Sequence, residues 1–416
     1  MHLTSAEKAL LAPDAPPATS MAMRILVDTA KMMGASRLVP ITSAHIDGCV
    51  YFGDAGVLFA EKLRDLGGRV AVPSSLNVGA LDIIRPELVL ADEHARTMSR
   101  RLMDAYVDLG CIQSWTCAPY QAGYRPRLGE QIAWAESNAI VFANSVLGAR
   151  TNRYGDFFDI CAALVGRAPF VGLHQDENRV AKILIDLSSL SPALLDDDSF
   201  FPVLGAWLGK TVGSTVAAIK GLPPDVGEDR LKALGAASAS TGAVGLFHVI
   251  GVTPEAKTEA DAFAGEPPEA VICPTPAMMS EARDSLSTTR TKRIDCVALG
   301  SPHFSLDECR ALAALAEGLT FEKPVYVCTR QAVLQILDMA GVRQRLEDAG
   351  VVFVVGTCVV VTPILKQASG VLMTNSGKFA HYSPSTVNHD VVYGSLGDCV
   401  RSAVTGEVTR DERLWS

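Results

Sequence analysis

The sequence predicts an α/β fold with mostly parallel sheets, organised as several domains. Three observations carry this. A chain of 416 residues is too long for one small core. Segments of helical and strand period alternate, most clearly beyond residue 294, and repeated βα units of this length build parallel sheets. Polar, chemically able residues recur where strands end, which is where such sheets collect ligands.

The elements follow in order. Thr4 and Glu7 have capping-box spacing for a short first helix. Prolines between 13 and 17 mark a linker, a helical stretch covers 21–33, and 37–41 reads as a strand. The helix 54–66 stops at Gly67 and Gly68, as glycine after a last turn does. A strand 69–72 and a long charged helix 86–109 come next. Helix 155–165, strand 180–187 and helix 200–212 follow, while 217–276 is poor in signals apart from a strand at 244–250. Residues 253–270 read as a surface connection. Strands 294–299, 325–328, 351–355 and 370–374 then alternate with helices 306–317, 331–349 and 395–404.

Composition limits the function. Charged residues are 20% and hydrophobic ones 48%, a compact globular balance. A net charge of −9 argues against a general nucleic-acid binder, which needs a basic face. No apolar run is long enough to span a membrane, and residues 1–20 lack the pattern of a signal peptide. The expectation is a cytoplasmic protein. None of the ten cysteines forms C-x-x-C, so most should be buried small hydrophobes. Cys117 and Cys358 differ, because each follows a threonine where a strand ends.

The stretch 111–153 concentrates polar groups among core-like neighbours: Cys117, Arg125, Arg127, Glu130, Glu136, Asn144, then Arg150, Thr151, Asn152 and Arg153. An unpartnered buried polar group costs about 1–3 kcal/mol, so these residues form a site or satisfy one another within a loop–helix–loop. Elsewhere Ser43, His45, Asn77, Ser301, His303 and the run 375–378 stand at strand ends. Residues 174–179, HQDENR, read as a metal- or substrate-binding run or a charged surface turn; His381 and His389 fall in what reads as a loop. Gly209-Lys210-Thr211 is no phosphate loop, since Leu204 stands where the first glycine belongs.

These motifs carry a resemblance. SAHIDG (43–48), GDAG (53–56), VPSSLN (72–77), TCAPY (116–120), GEQIAWAESNAIVFANSVLGARTNR (129–153), HQDENR, GSPHFSLDE (300–308), GTCVVVTP (356–363) and TNSGKFAHY (374–382) resemble aconitase X over nearly the whole chain. The resemblance implies an aconitase-like catalytic body of three α/β domains, lacking the swivelling domain. We divide it as 1–115, 116–290 and 291–416. It implies an iron–sulfur-dependent dehydratase large subunit whose partner is a small swivelling-domain subunit. The substrate would be a small hydroxy acid: cis-3-hydroxy-L-proline, with mevalonate 5-phosphate or a non-catalytic assembly role as alternatives.

The family's cluster cysteines match Cys117 and Cys358, but the middle position is Ser301. Thiolates suit iron–sulfur ligation better than a hydroxyl does, so the cluster is smaller, with 2Fe–2S favoured, or larger with another thiol. Cys296 is the candidate thiol, although five strand residues span about 16 Å. Ser43, His45 and Lys378 are the expected proton-handling or hydroxyl-positioning groups. Asn77, Arg150, Asn152, Arg153 and His174 are expected to bind or shape the substrate site. The general base can lie in the partner.

Overall fold

The computed structural model describes residues 1–415 and divides into two compact units, Met1–Leu81 with Ala91–Val180, and Asp82–Leu90 with the chain from Ala181 onward. In the first unit three short parallel strands lie side by side: Ser74–Leu76, Ala44–Ile46 and Ala133–Trp134. Leu38–Pro40 and Arg167–Pro169 form a separate antiparallel pair. The helix Pro17–Met32 buries Met23, Leu26, Val27 and Ala30 on one side, the spacing of an amphipathic helix.

The second unit holds two all-parallel sheets. One has four strands in the order Phe247–Val249, Ala217–Lys220, Ile183–Asp186, Ala270–Ile272. The other has five, Val351–Val355, Val325–Thr329, Cys296–Phe304, Gly370–Thr374 and His389–Tyr393. In the five-stranded sheet the chain starts at the centre and fills one side before the other. The switch point falls between Cys296–Phe304 and Gly370–Thr374, where such sheets open a ligand crevice. A core of Val297, Leu299, Val327, Phe353 and Leu334, among others, underlies it.

The expected α/β class and parallel sheets are present, and several elements differ from expectation for identifiable reasons. The capping box of Thr4 and Glu7 forms, and the helix Phe200–Val212 has the expected bounds. No strand occupies 69–72; the strand is Ser74–Leu76, after Pro73, where hydrogen bonding to Ala44–Ile46 is available. The expected helix 86–109 is a single turn Pro86–Leu88 and a helix Glu93–Asp108 capped by Asp92. Asp82–Leu90, which includes the single turn, belongs to the second unit, where Asp82 accepts from Val355 N at 2.7 Å and Leu90 N donates to Pro363 O at 2.7 Å. The helix expected at 331–349 is two, because Gly341 adopts a left-handed conformation between Gln331–Met339 and Val342–Ala349.

The signal-poor stretch contains the helix Glu228–Thr241. It is rich in Ala and Ser and has little helical periodicity, because it packs closely along Phe200–Val212. A Cβ on Gly205 would lie 2.3 Å from the Leu234 carbonyl oxygen. His381 sits on a helix, Gly377–Thr386, and His389 opens a strand, so neither lies in a loop.

Candidate functional site

In the second unit, polar groups gather at the carboxyl ends of adjacent strands. The strand Cys296–Phe304 breaks register with Val325–Thr329 between Leu299 and Phe304, so residues 300–303 leave the ladder. Gly300 makes this possible: its φ is +91°, and a Cβ there would lie 2.2 Å from the Cys328 carbonyl oxygen. The departure brings Ser301 and His303 toward the turn after Val351–Val355. His303 Nε2 is 3.0 Å from the Thr357 carbonyl oxygen, and Thr357 and Thr362 share a hydroxyl hydrogen bond of 2.6 Å. Ser376, which caps the helix Gly377–Thr386, donates from its hydroxyl to the Ser301 carbonyl.

Cys358 lies within this assembly. Its thiol is held below the usual range, first by a hydrogen bond from Cys328, and also by the Lys378 ammonium and a hydrogen bond from Ser301. These outweigh burial, which acts the other way. A lowered thiol pKa favours the thiolate, which is the form that ligates metal. The sequence reading missed Cys328, taking it as a core cysteine; its signal was its place at the end of a strand, like Cys358. Cys296 is elsewhere: it pairs with Leu372 at the start of its strand, and burial pushes its thiol up to about 12.

In the first unit, the register aligns Ser75, His45 and Trp134 across the three strands. His45 is fully buried, and Nδ1 lies 2.8 Å from Ser75 Oγ. Burial lowers its pKa to about 4, against the opposing pull of the Glu136 carboxylate. Trp134 Nε1–H donates to Ser43 Oγ at 3.3 Å. Two residues further on, Asn77 donates to the Asp47 carboxylate. Glu136 has a φ of +30°, an uncommon conformation for a non-glycine residue, and caps the helix Ser137–Ser145 by accepting from Ala139 N at 2.8 Å. Asn138 on that helix donates to the Cys117 carbonyl at 2.9 Å.

The other expected substrate groups are engaged within the unit. Arg150 pairs with Asp176 at 2.6 Å. Asn152 accepts from Leu173 N and donates to Val171 O, each at 2.8 Å. His174 donates to Gln131 and accepts from Tyr154, each at 2.5 Å, and burial lowers its pKa to about 3. Arg153 is exposed. Asn144 exchanges two hydrogen bonds with the Thr151 backbone, 2.9 and 3.0 Å, and receives Arg179. Much of the polar content of 111–153 is thus satisfied internally.

Among the described residues, no group of three or more His, Cys, Asp or Glu side chains is placed to hold a metal ion. Of the donors that do meet, Cys358 and Cys328 are soft sulfur groups, the Cys358 thiol is held below its usual range, and Ser301 adds a harder hydroxyl; the two thiols suit part of an iron–sulfur ligand set. Beside them a cavity of about 530 Å³ is lined by Ser301, Asn375 and Ser376, with Asp196, Asp197, Asp198, Asp229, Asp307 and Glu308. Its two cations are already paired: Arg230 with Asp196 and Asp198, Lys232 with Asp229 and Glu308.

Comparison with known proteins matches residues 1–177, 181–284 and 294–405 to the first, second and third domains of aconitase X. The chain is 44% identical to cis-3-hydroxy-L-proline dehydratase of Pseudomonas aeruginosa, over 100% of this chain and 72% of that protein. It is 39% identical to the phosphomevalonate dehydratase large subunit of Methanothermobacter thermautotrophicus, over 91% of this chain and 93% of that one. The crystal structure of Thermococcus kodakaraensis aconitase X (holo-form) superposes with a TM-score of 0.87 at 33% identity, covering 97% of this chain and 100% of that one.

Proposed function

Because this chain belongs to the aconitase X family of hydro-lyases, we propose that it is the large, catalytic chain of an iron–sulfur-dependent dehydratase acting on cis-3-hydroxy-L-proline. Loss of water gives the 2,3-enamine, which tautomerises to 1-pyrroline-2-carboxylate. The observation that carries the substrate choice is the 44% identity to a protein of that name, against 39% to a phosphomevalonate dehydratase large subunit. The cavity beside Ser301 supports it. Six carboxylates and two ion-paired cations suit a substrate with a ring ammonium far better than a phosphate dianion. The helix N-termini there are already capped by Ser305, Ser376 and Ser395, which removes the usual anion site.

In this reading Cys358, Cys328 and Ser301 contribute to holding the cluster, and Cys117 is a further ligand. The cluster, when bound, supplies a Lewis acid for the departing hydroxyl. Lys378 keeps the Cys358 thiol acidic. Arg153 offers guanidinium donors to the substrate carboxylate, while Arg150, held by Asp176, shapes the surrounding loops with Asn77, Asn152 and His174. Ser43 and His45 position the hydroxyl. The α-proton needs a base of higher pKa than His45 provides. We assign that base to a small swivelling-domain subunit, a partner consistent with the "large subunit" name of the relative. We place the complex in the cytoplasm, where ten free thiols suit a reducing environment; no described helix is long and apolar enough to cross a membrane.

The test is co-expression with a small swivelling-domain chain, anaerobic purification, iron and sulfide analysis, and assay of both substrates. Formation of 1-pyrroline-2-carboxylate is the expected result, with little from the large chain alone. Turnover of mevalonate 5-phosphate alone would overturn the substrate assignment.

A further inference from the structure

His45 is completely buried, and its two ring nitrogens have different surroundings. Nδ1 meets the Ser75 hydroxyl at 2.8 Å, whereas Nε2 has no hydrogen-bond partner among the described residues. The hydroxyl has a second neighbour, the Ala44 carbonyl oxygen, at 3.5 Å. That oxygen can only accept, so it gives the single Ser75 proton a place to go while Ser75 accepts from the imidazole. Nδ1 then carries the hydrogen and Nε2 is a bare lone pair.

A second argument reaches the same tautomer. If Nδ1 were instead the acceptor, Nε2 would bear an N–H with nothing to receive it. Orphaned buried donors are rarer than under-used acceptors. The backbone fixes the pairing, because His45 and Ser75 are register partners on adjacent parallel strands, and Trp134 on the third strand packs its ring 5.7 Å from the imidazole.

We propose that Ser75 is a positioning residue that locks His45 with its hydrogen on Nδ1, so that Nε2 serves as an acceptor for an O–H or N–H of the bound hydroxy amino acid. This rests on the dehydratase reading for the identity of the donor, but not for the tautomer. It makes His45 an orienting group and not the source of a proton for the departing hydroxyl. The Ser75 hydroxyl acts only through His45.

The experiment is nitrogen NMR of the full-length chain labelled at histidine, with the His45 signals assigned from His45→Gln. Nε2 is expected to resonate as an unprotonated nitrogen at neutral pH. Ser75→Ala should shift it toward the protonated position, and Ser75→Thr, which keeps the hydroxyl, should restore it. Melting curves identify any variant that fails to fold, and Ser75→Thr keeps the comparison decisive in that case. In the complex, Ser75→Ala should lower kcat/KM about tenfold, with Ser75→Thr recovering most of it. Titration with cis-3-hydroxy-L-proline should move the Nε2 signal. A protonated Nε2 in the unaltered chain, or a tautomer indifferent to Ser75→Ala, would overturn the proposal. A bare Nε2 that responds to Ser75→Ala but ignores cis-3-hydroxy-L-proline in an inactive complex would count against the dehydratase reading and leave the tautomer standing.

Discussion

The Cys328 thiol donates a hydrogen bond to Cys358 across the carboxyl ends of the strand Val325–Thr329 and the turn that follows Val351–Val355. It is the largest of the effects that lower the Cys358 thiol, ahead of the Lys378 charge and the Ser301 hydroxyl. Two thiols and a hydroxyl therefore meet where the family pattern marks only Cys358 and the position that is Ser301 in this chain.

The first prediction follows from that pairing. Cys358→Ala should abolish the visible iron–sulfur absorbance of the anaerobically purified protein, and Cys328→Ala should diminish or abolish it. Cys161→Ala should leave it intact, because Cys161 is a buried helix cysteine whose thiol is pushed up to about 12 by desolvation and the Asp159 carboxylate. The Cys161 control separates ligand loss from the general cost of altering a core cysteine. Unchanged absorbance in both Cys328→Ala and Cys358→Ala would reject the assignment.

The helix–strand alternation beyond residue 294 was legible because Val, Ile and Leu runs alternate with helical stretches; in the structure Ser305 and Ser395 open two of these helices with capping boxes that the sequence reading did not single out. Cys358 and Ser301 were legible as strand-end residues within a family pattern. Cys328 also stands at the end of an expected strand, but its approach to Cys358 was hidden, since it depends on register between strands that sequence spacing does not specify. The role of Ser75 was hidden for the same reason: it lies 30 residues from His45 and meets it only through strand pairing. The helix Glu228–Thr241 escaped because close packing on a neighbouring helix replaces hydrophobic periodicity with small residues.

The backbone beneath the thiols gives the second prediction. Gly300→Ala puts a side chain into a conformation L residues avoid, with its Cβ 2.2 Å from the Cys328 carbonyl oxygen. It should cost at least about 2 kcal/mol in urea unfolding. Gly34→Ala also requires a positive φ, of +74°, but meets nothing within 4 Å, so it should cost only about 1 kcal/mol. Equal effects of the two substitutions would show that the bulge is not pressed against Cys328.

Ser301→Cys tests the serine itself. Ser301 is 4% exposed and stands within hydrogen-bonding reach of Cys358, so a thiol there adds a soft ligand to the set. The substituted protein should bind iron differently, as a larger cluster or with altered paramagnetic resonance after reduction. Activity should fall if full ligation closes the position a Lewis acid needs. The helix that follows is capped by Ser305, not Ser301, so loss of a cap does not compete as an explanation. An identical spectrum would remove Ser301 from the cluster environment.

The last prediction concerns acid. His45 and His174 are buried, with pKa values lowered to about 4 and about 3, while an unfolded histidine titrates near 6.5. As pH falls below about 6.5 the unfolded chain takes up protons that the native imidazoles refuse, so stability declines until the native values are reached. At pH 5 the penalty is about 2 kcal/mol for each histidine. Asp159 acts in the opposite sense: desolvation raises it to about 7, so its native form gains protons as pH falls toward 4. The unaltered chain reports the sum of these terms, and the clean measurement is a difference. In urea unfolding, His45→Gln should lose less stability than the unaltered chain between pH 7.5 and pH 5, by about 2 kcal/mol, whatever its stability at neutral pH. Parallel pH profiles for the two would mean that His45 is protonated as readily in the folded protein as in the unfolded one.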